Sequence, residues 1–155
     1  MDGLERKVTM VDKIVVGFDE SFAGARALRW AINEARMRDV LLEIVYVWQP
    51  GIEGGASDTN LNWGELEHAA REDVQSWFDE VIDAEGPGCR VELSVVSGTA
   101  GPTLVDAARD ALLLVVGTRS HSSLGRVFHG SVSHYALTHS QVPVVAVPAD
   151  EDETR

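Results

Sequence analysis

The chain has 155 residues, 45% of them hydrophobic, which is enough for one domain with a sizeable core and too few for two independent domains. The formal net charge is −12, from 13 basic and 25 acidic side chains, and so acidic a chain is a poor candidate for nonspecific binding to nucleic acid. Cys89 is the only cysteine, which excludes an intramolecular disulfide, and no apolar run approaches the roughly 20 residues that span a bilayer, so we expect a cytoplasmic protein without a membrane or nucleic-acid partner.

The first half of the chain alternates between strand and helix patterns. Residues 13–18 (KIVVGF) form a β-branched run typical of a strand buried on both faces. Residues 22–38 repeat apolar side chains at helical spacing after Ser21, which can cap a helix. Residues 41–48 (LLEIVYVW) predict a second buried strand, and 49–63 a flexible connection that contains glycines.

The second half continues this alternation. Residues 64–84 carry an apolar stripe at helical spacing. After the breaker sequence EGPG, residues 90–96 alternate like a strand near a sheet edge. Residues 101–109 then predict a short helix with Pro102 in its first turn, where proline removes no intrahelical hydrogen bond. The last predicted elements are a strand at 112–117, a helix at 130–140 and a strand at 142–147.

The whole sequence therefore predicts five strands alternating with four helices. Such a pattern requires right-handed crossovers and a parallel sheet covered on both faces, so the predicted fold class is α/β. Ligands of such sheets bind beyond the carboxyl ends of the strands, at the topological switch point, which we place between the first and fourth strands. We expect one domain over 13–148, between an N-terminal tail at 1–12 and an acidic tail at 149–155.

Three groups of residues converge on the predicted crevice. The first strand ends in Gly17-Phe18-Asp19, and a carboxylate there can accept hydrogen bonds from ribose hydroxyls. The second strand ends in Val47-Trp48, whose backbone groups can pair with a purine edge. The fourth strand ends in Gly117-Thr118-Arg119 and the next helix opens with Gly130-Ser131-Val132-Ser133, so backbone N–H groups and hydroxyls are gathered to hold phosphate oxygens. Together they outline a nucleotide site.

Two of these groups also have a purely structural interpretation. Asp19 can share the capping of the first helix with Ser21, and Gly130-Ser131 can be no more than a helix start. Arg119 favours the functional interpretation, because a cation beside the glycine loop of such an acidic chain can neutralise phosphate charge. The spacing of the whole set is what favours a nucleotide.

Residues 12–148 resemble the universal stress protein family, and within it the ATP-binding branch. Members of that branch carry, after the fourth strand, a glycine, two residues, a glycine, nine residues, a glycine and then Ser or Thr. Gly117, Gly130 and Ser131 match this pattern, whereas Ser120 stands where the second glycine belongs. KIVVGFDES looks like the family's first-strand signature with its adenosine-contacting aspartate at Asp19, and VYVW places Val47 at the adenine-contacting position.

The resemblance implies a flavodoxin-like, Rossmann-like sandwich with a five-stranded parallel sheet in the order 3-2-1-4-5. It also implies ATP or a related adenine nucleotide, and a homodimer through the last strand, VPVVAVP. A bound nucleotide would bring Mg²⁺, held mostly by its phosphates and water. The role implied is a stress-response regulator or sensor that acts on other proteins, with at most slow ATP hydrolysis. The residues expected to bind the nucleotide are Phe18, Asp19, Val47, Gly117, Thr118, Arg119, Ser120, Gly130, Ser131, Val132 and Ser133.

The same sequence disfavours catalysis, metal binding and flavin binding. The chain has no P-loop, and neither Ser131 nor Ser133 has a base and an orienting group at a suggestive spacing, so no catalytic residue is assigned. His134 and His139 lie five apart, the wrong spacing for a metal pair on one helix face, and no metal site is assigned. A flavin carrier is disfavoured, since GFDES lacks the glycine- and hydroxyl-rich loop of an FMN phosphate site.

Ser120 leaves one alternative open. It either strains the loop at a position that needs positive φ, or fills space that a triphosphate requires. The alternative function is therefore a dimeric interaction module of the same fold that binds no nucleotide.

Overall fold

The computed structural model describes residues 11–19, 21–49, 62–82, 86–118 and 131–149, and the backbone alone of Phe22, Trp63 and Ser131. Strands and helices alternate through these ranges. The strands are β1 (Lys13–Gly17), β2 (Leu41–Trp48), β3 (Val91–Ser97), β4 (Leu113–Thr118) and β5 (Val144–Pro148). The helices are α1 (Phe22–Arg38), α2 (Trp63–Val81), α3 (Ala100–Ala107) and α4 (Ser131–His139).

The five strands form one parallel sheet in the order β3-β2-β1-β4-β5. This order confirms the predicted fold class and places β3 at an edge, as its alternating sequence predicted. β1 lies between β2 and β4, so the chain moves from β1 in one direction to β2 and returns to β4 on the other side. In the register of the sheet, Gly17 faces Val45 and Val16 faces Val115. The carboxyl ends of β1, β2 and β4 therefore meet at one edge.

Alternate side chains of β1, β2, β4 and β5 enter two separate apolar cores, and β3 contributes Val91 and Leu93 to the first of them. On the side of α1 and α2, Ile14, Val16 and Val115 pack with Leu28 and Val74. On the side of α3 and α4, the neighbouring strand residues pack against the other pair of helices: Val15, Val45, Leu104, Leu114, Val116 and Ala136. Burial on both faces explains why these strands read as continuous apolar runs.

Two helices begin at side-chain caps. Ser21 caps α1, and its hydroxyl oxygen accepts a hydrogen bond from Gly24 N at 3.0 Å, which confirms the predicted cap. Asn62 caps α2 in the same way, accepting from Gly64 N at 3.1 Å. The first of these caps stands directly after the carboxyl end of β1, so it bears on the site described below.

The apolar stripe predicted on α2 is only partly buried. Val74 is fully buried, whereas Leu66 is 37% exposed and Ala69 is exposed. α2 packs over β3, the edge strand, and beside α1. Because α2 lies at the edge of its helix layer, no other described helix packs on its outer flank. Its apolar stripe is therefore buried only where it faces the sheet. Elsewhere the predicted element ends agree with the structure within three residues.

Candidate functional site

A crevice opens at the carboxyl edge of the sheet, at the predicted switch point. Its volume is about 470 Å³, part of it open to solvent. β1, β2 and β4 supply its floor, and α3 and α4 supply one wall. It is lined by Gly17, Phe18, Asp19, Gly24, Val45, Val47, Ala100, Leu104, Val116, Gly117 and Val132.

The interior of the crevice is largely apolar. Val45, Leu104 and Val116 are buried, while Val47 and Val132 are partly exposed beside them. Gly17 makes this packing feasible, because a Cβ at that position would lie 2.6 Å from Leu104 Cδ1. An apolar cleft of this kind with a few polar groups at its rim suits a planar heterocycle joined to a polar group.

Among the described residues that line the crevice, Asp19 alone has an ionisable side chain. Its Oδ1 accepts a hydrogen bond from Ser21 N at 3.0 Å and a second from the Ser21 hydroxyl. Oδ2 makes no hydrogen bond to another described residue. The sequence left two roles open for Asp19, and the structure shows that Ser21 alone caps α1 while Asp19 hydrogen-bonds to the capping residue.

Two glycines bring the first turn of α1 against the crevice. A Cβ on Gly117 would lie 2.6 Å from both the carbonyl carbon and the carbonyl oxygen of Ala23. A Cβ on Gly24 would lie 2.4 Å from Asp19 Oδ1 and 2.6 Å from its carbonyl oxygen. Gly117 was predicted from the loop pattern as a phosphate-site residue, and the structure adds a packing role between β4 and α1.

The structure brings together five of the predicted site residues: Phe18, Asp19, Val47, Gly117 and Val132. The ring of Phe18 is buried and packs on Trp77, with ring centroids 6.0 Å apart, so this side chain also belongs to the core. Its backbone N donates to Val45 O at 3.0 Å.

The remaining predicted residues do not line the crevice or lie outside the described ranges. Thr118 ends β4, and its carbonyl accepts from Ala149 N at 3.3 Å. Ser133 is 1% exposed and already has an interaction partner. Arg119, Ser120 and Gly130 lie outside the described residues, and the side chain of Ser131 is not described. Their assignment to the phosphate site stays a prediction.

The sequence prediction missed five residues that line the crevice: Gly24, Val45, Ala100, Leu104 and Val116. A glycine in the first turn of a helix costs stability relative to alanine, so Gly24 could have been noticed as a position that requires close contact. Ala100 and Leu104 carried no such signal. They read as ordinary apolar positions of a short helix, and only the packing of α3 over β1 and β2 brings them to the crevice.

The described residues form neither a metal site nor a membrane-spanning helix. No three His, Cys, Asp or Glu side chains of those residues are grouped to hold a metal ion. Within the same ranges, no helix combines the length and apolarity needed to cross a bilayer. Cys89 lies away from the crevice, where burial raises the pKa of its thiol and the Arg36 guanidinium partly opposes that rise.

The fold and the sequence together identify the family. The profile of the universal stress protein family matches residues 10–148. The chain therefore belongs to the universal stress protein family. A universal stress protein of Mycolicibacterium smegmatis is 33% identical over 144 residues, which cover 89% of this chain and 48% of that protein. The chain thus spans about half the length of the curated relatives it matches.

Solved structures share the same fold. The universal stress protein from Archaeoglobus fulgidus in complex with dAMP is 25% identical, with a TM-score of 0.63 and coverage of 88% of this chain and 97% of that one. A universal stress protein in complex with cAMP is 24% identical, with a TM-score of 0.65 and coverage of 90% and 98%. Some proteins of this fold therefore hold adenine nucleotides.

Proposed function

We propose that this chain binds an adenine nucleotide, ATP or a close relative, in the crevice at the carboxyl ends of β1, β2 and β4. The observation that carries the proposal is the lining itself: an apolar cleft with one carboxylate, Asp19, at the predicted nucleotide position. The adenine would lie against Val45, Val47 and Leu104, and Asp19 would accept a hydrogen bond from the sugar. The dAMP complex of the Archaeoglobus fulgidus protein supports this choice of ligand.

The phosphates would extend from the crevice towards the start of α4. Gly117 lines the crevice at the end of β4, and Val132 lines it near the first residue of α4. Backbone N–H groups at a helix start favour anions, and Arg119, Ser120, Gly130 and Ser131 are the further contacts that we propose there. Mg²⁺ would accompany the triphosphate, held mostly by phosphate oxygens and water.

The biological role that we propose is regulatory. A cytoplasmic stress-response protein would exist as a homodimer through β5, and its nucleotide state would change the surface that other proteins meet. The position of β5 at an edge of the described sheet supports the dimer, because an apolar edge strand invites pairing with a second strand. We propose at most slow ATP hydrolysis, since the sequence has no P-loop.

Isothermal titration with MgATP tests the nucleotide proposal. We expect micromolar or weaker affinity, and Asp19→Ala should weaken it by about tenfold or more because a hydrogen bond to a charged group is lost. Asp12→Ala is the matched control, since Asp12 is an exposed carboxylate at the opposite end of β1. No heat and no thermal shift at millimolar MgATP would contradict the proposal.

The second candidate is the dimeric module that binds no nucleotide. It is favoured by the structural roles of two site residues: Gly117 is required for packing on Ala23, and Asp19 is held by Ser21. Neither residue needs a ligand to explain its presence. The titration separates the two candidates, because this one requires that wild type and Asp19→Ala both give no heat.

A further inference from the structure

The Asp19 carboxylate is fixed on one side before any ligand arrives. Oδ1 accepts hydrogen bonds from both the backbone N and the hydroxyl of Ser21. A carboxylate oxygen offers two lone pairs, so these two bonds use the capacity of Oδ1. Oδ2 has no hydrogen-bond partner among the described residues, although Asp19 lines the crevice.

Ser21 links that carboxylate to the helix behind it. The same hydroxyl that donates to Asp19 accepts from Gly24 N at 3.0 Å, which is the N-cap bond of α1. Gly24 leaves no spare room, because a Cβ there would lie 2.4 Å from Asp19 Oδ1. The orientation of the Asp19 carboxylate is therefore coupled to the first turn of α1 by the Ser21 hydroxyl and by the close approach of Gly24.

We propose that Ser21 is the positioning residue for sugar recognition: it holds Asp19 so that Oδ2 alone accepts a hydrogen bond from a ribose hydroxyl. This inference rests on the proposed nucleotide site and adds a basis for its specificity towards the sugar. The site would favour nucleotides that carry ribose hydroxyls, and the preference would depend on Ser21 although Ser21 itself need not touch the ligand. A carboxylate without this support can rotate, and ordering it on binding costs entropy.

The test compares the binding of ATP with that of 2′,3′-dideoxy-ATP, which keeps the base and phosphates and lacks both hydroxyls. Wild type should prefer ATP by about tenfold, and Asp19→Ala should abolish the preference. Ser21→Ala should reduce the preference to about twofold, mainly by weakening ATP. Ser21→Thr keeps the hydroxyl and should restore it.

Ser140→Ala is the matched control. Its hydroxyl donates to Val142 O at 2.8 Å and accepts from Val142 N at 3.2 Å. It therefore also makes two hydrogen bonds, but just before β5, at the amino ends of the strands and away from the crevice. It should leave the preference at the wild-type value. Denaturant unfolding of every variant shows whether the fold is retained.

The outcomes distinguish the inference from the proposed function. If wild type binds neither nucleotide, the nucleotide site is wrong and the inference falls with it. If wild type prefers ATP and Ser21→Ala weakens both nucleotides equally, Ser21 is a helix cap only and the inference alone is overturned. A loss of preference in Ser21→Ala that Ser21→Thr restores supports the positioning role.

Discussion

At the scale of single residues, the crevice depends on positions where a side chain is absent. A Cβ on Gly117 would meet two backbone atoms of Ala23 at 2.6 Å. Backbone atoms cannot rotate away, so the first turn of α1 would have to shift. At Gly17 the nearest atom is the end of the Leu104 side chain, which can adopt another rotamer.

We therefore expect Gly117→Ala to destabilise the protein by about 1–3 kcal/mol even without a ligand, as overpacked positions do. The measurement is the free energy of unfolding in urea. Gly64→Ala is the control, because its Cβ would lie 3.4 Å from Asn62 Oδ1 on an exposed helix, so stability should be unchanged or higher. If Gly117→Ala were as stable as wild type, the first turn of α1 could shift without lowering the free energy of unfolding.

At the scale of elements, the three strands on one side of the sheet are joined by a polar cluster as well as by their backbones. Lys13 on β1 donates to Glu43 Oε2 on β2 at 2.6 Å, and Ser94 on β3 donates to Glu43 Oε1 at 2.9 Å. The side chains of Lys13 and Glu43 are 25% and 16% exposed. Because the pair is partly shielded from water and both Glu43 oxygens are hydrogen-bonded, we expect it to couple more strongly than a fully exposed pair.

A double-mutant cycle of Lys13→Met and Glu43→Gln should give a coupling energy of about 1 kcal/mol. The coupling is expected to fall in high salt, because the pair is partly solvated. The exposed pair Arg109–Asp106, with side chains 61% and 68% exposed, is the reference and should couple more weakly. Equal coupling in both pairs would mean that burial adds nothing to the Lys13–Glu43 interaction.

The elements themselves were largely predictable, and their surroundings were not. α1 and its cap were predicted correctly because both signals are local: apolar spacing over 22–38 and a serine just before it. The exposure of Leu66 on α2 could not be read from the stripe that contains it, since periodicity shows which face is apolar and not how far a neighbour covers it.

At the scale of the whole molecule, β5 decides how two copies could meet, because it is an edge strand of the sheet that the described residues form. Arg26 Nη1 donates to Pro148 O at the end of this strand at 2.8 Å, so the edge offered to a second copy lies before Pro148. Leu114 N donates to Pro143 O, and Ala149 N donates to Thr118 O. In a parallel strand, N–H and C=O of one residue point to the same side, so the odd-numbered residues of β5 pair with β4. Ala146 therefore directs its N–H away from β4.

If β5 forms the dimer proposed above, Ala146→Pro removes an edge donor and leaves the β4–β5 ladder intact. We expect sedimentation equilibrium to show a dimer for wild type and a shift towards monomer for this variant. Circular dichroism should show that the fold is retained. A monomeric wild type would exclude the β5 dimer.

The sequence by itself determined the order of strands and helices, the α/β class and the edge of the sheet at which the crevice opens. It could do so because hydrophobic periodicity and turn residues act over a few neighbouring positions. It also pointed to Asp19, Val47 and Gly117, which the structure places in one crevice. Only the tertiary structure decided that Gly117 packs on Ala23, that α3 contributes Leu104 and that Ser133 is buried. These contacts depend on how helices far apart in the sequence pack on the sheet. Local sequence patterns do not encode the distances between such helices and the strands.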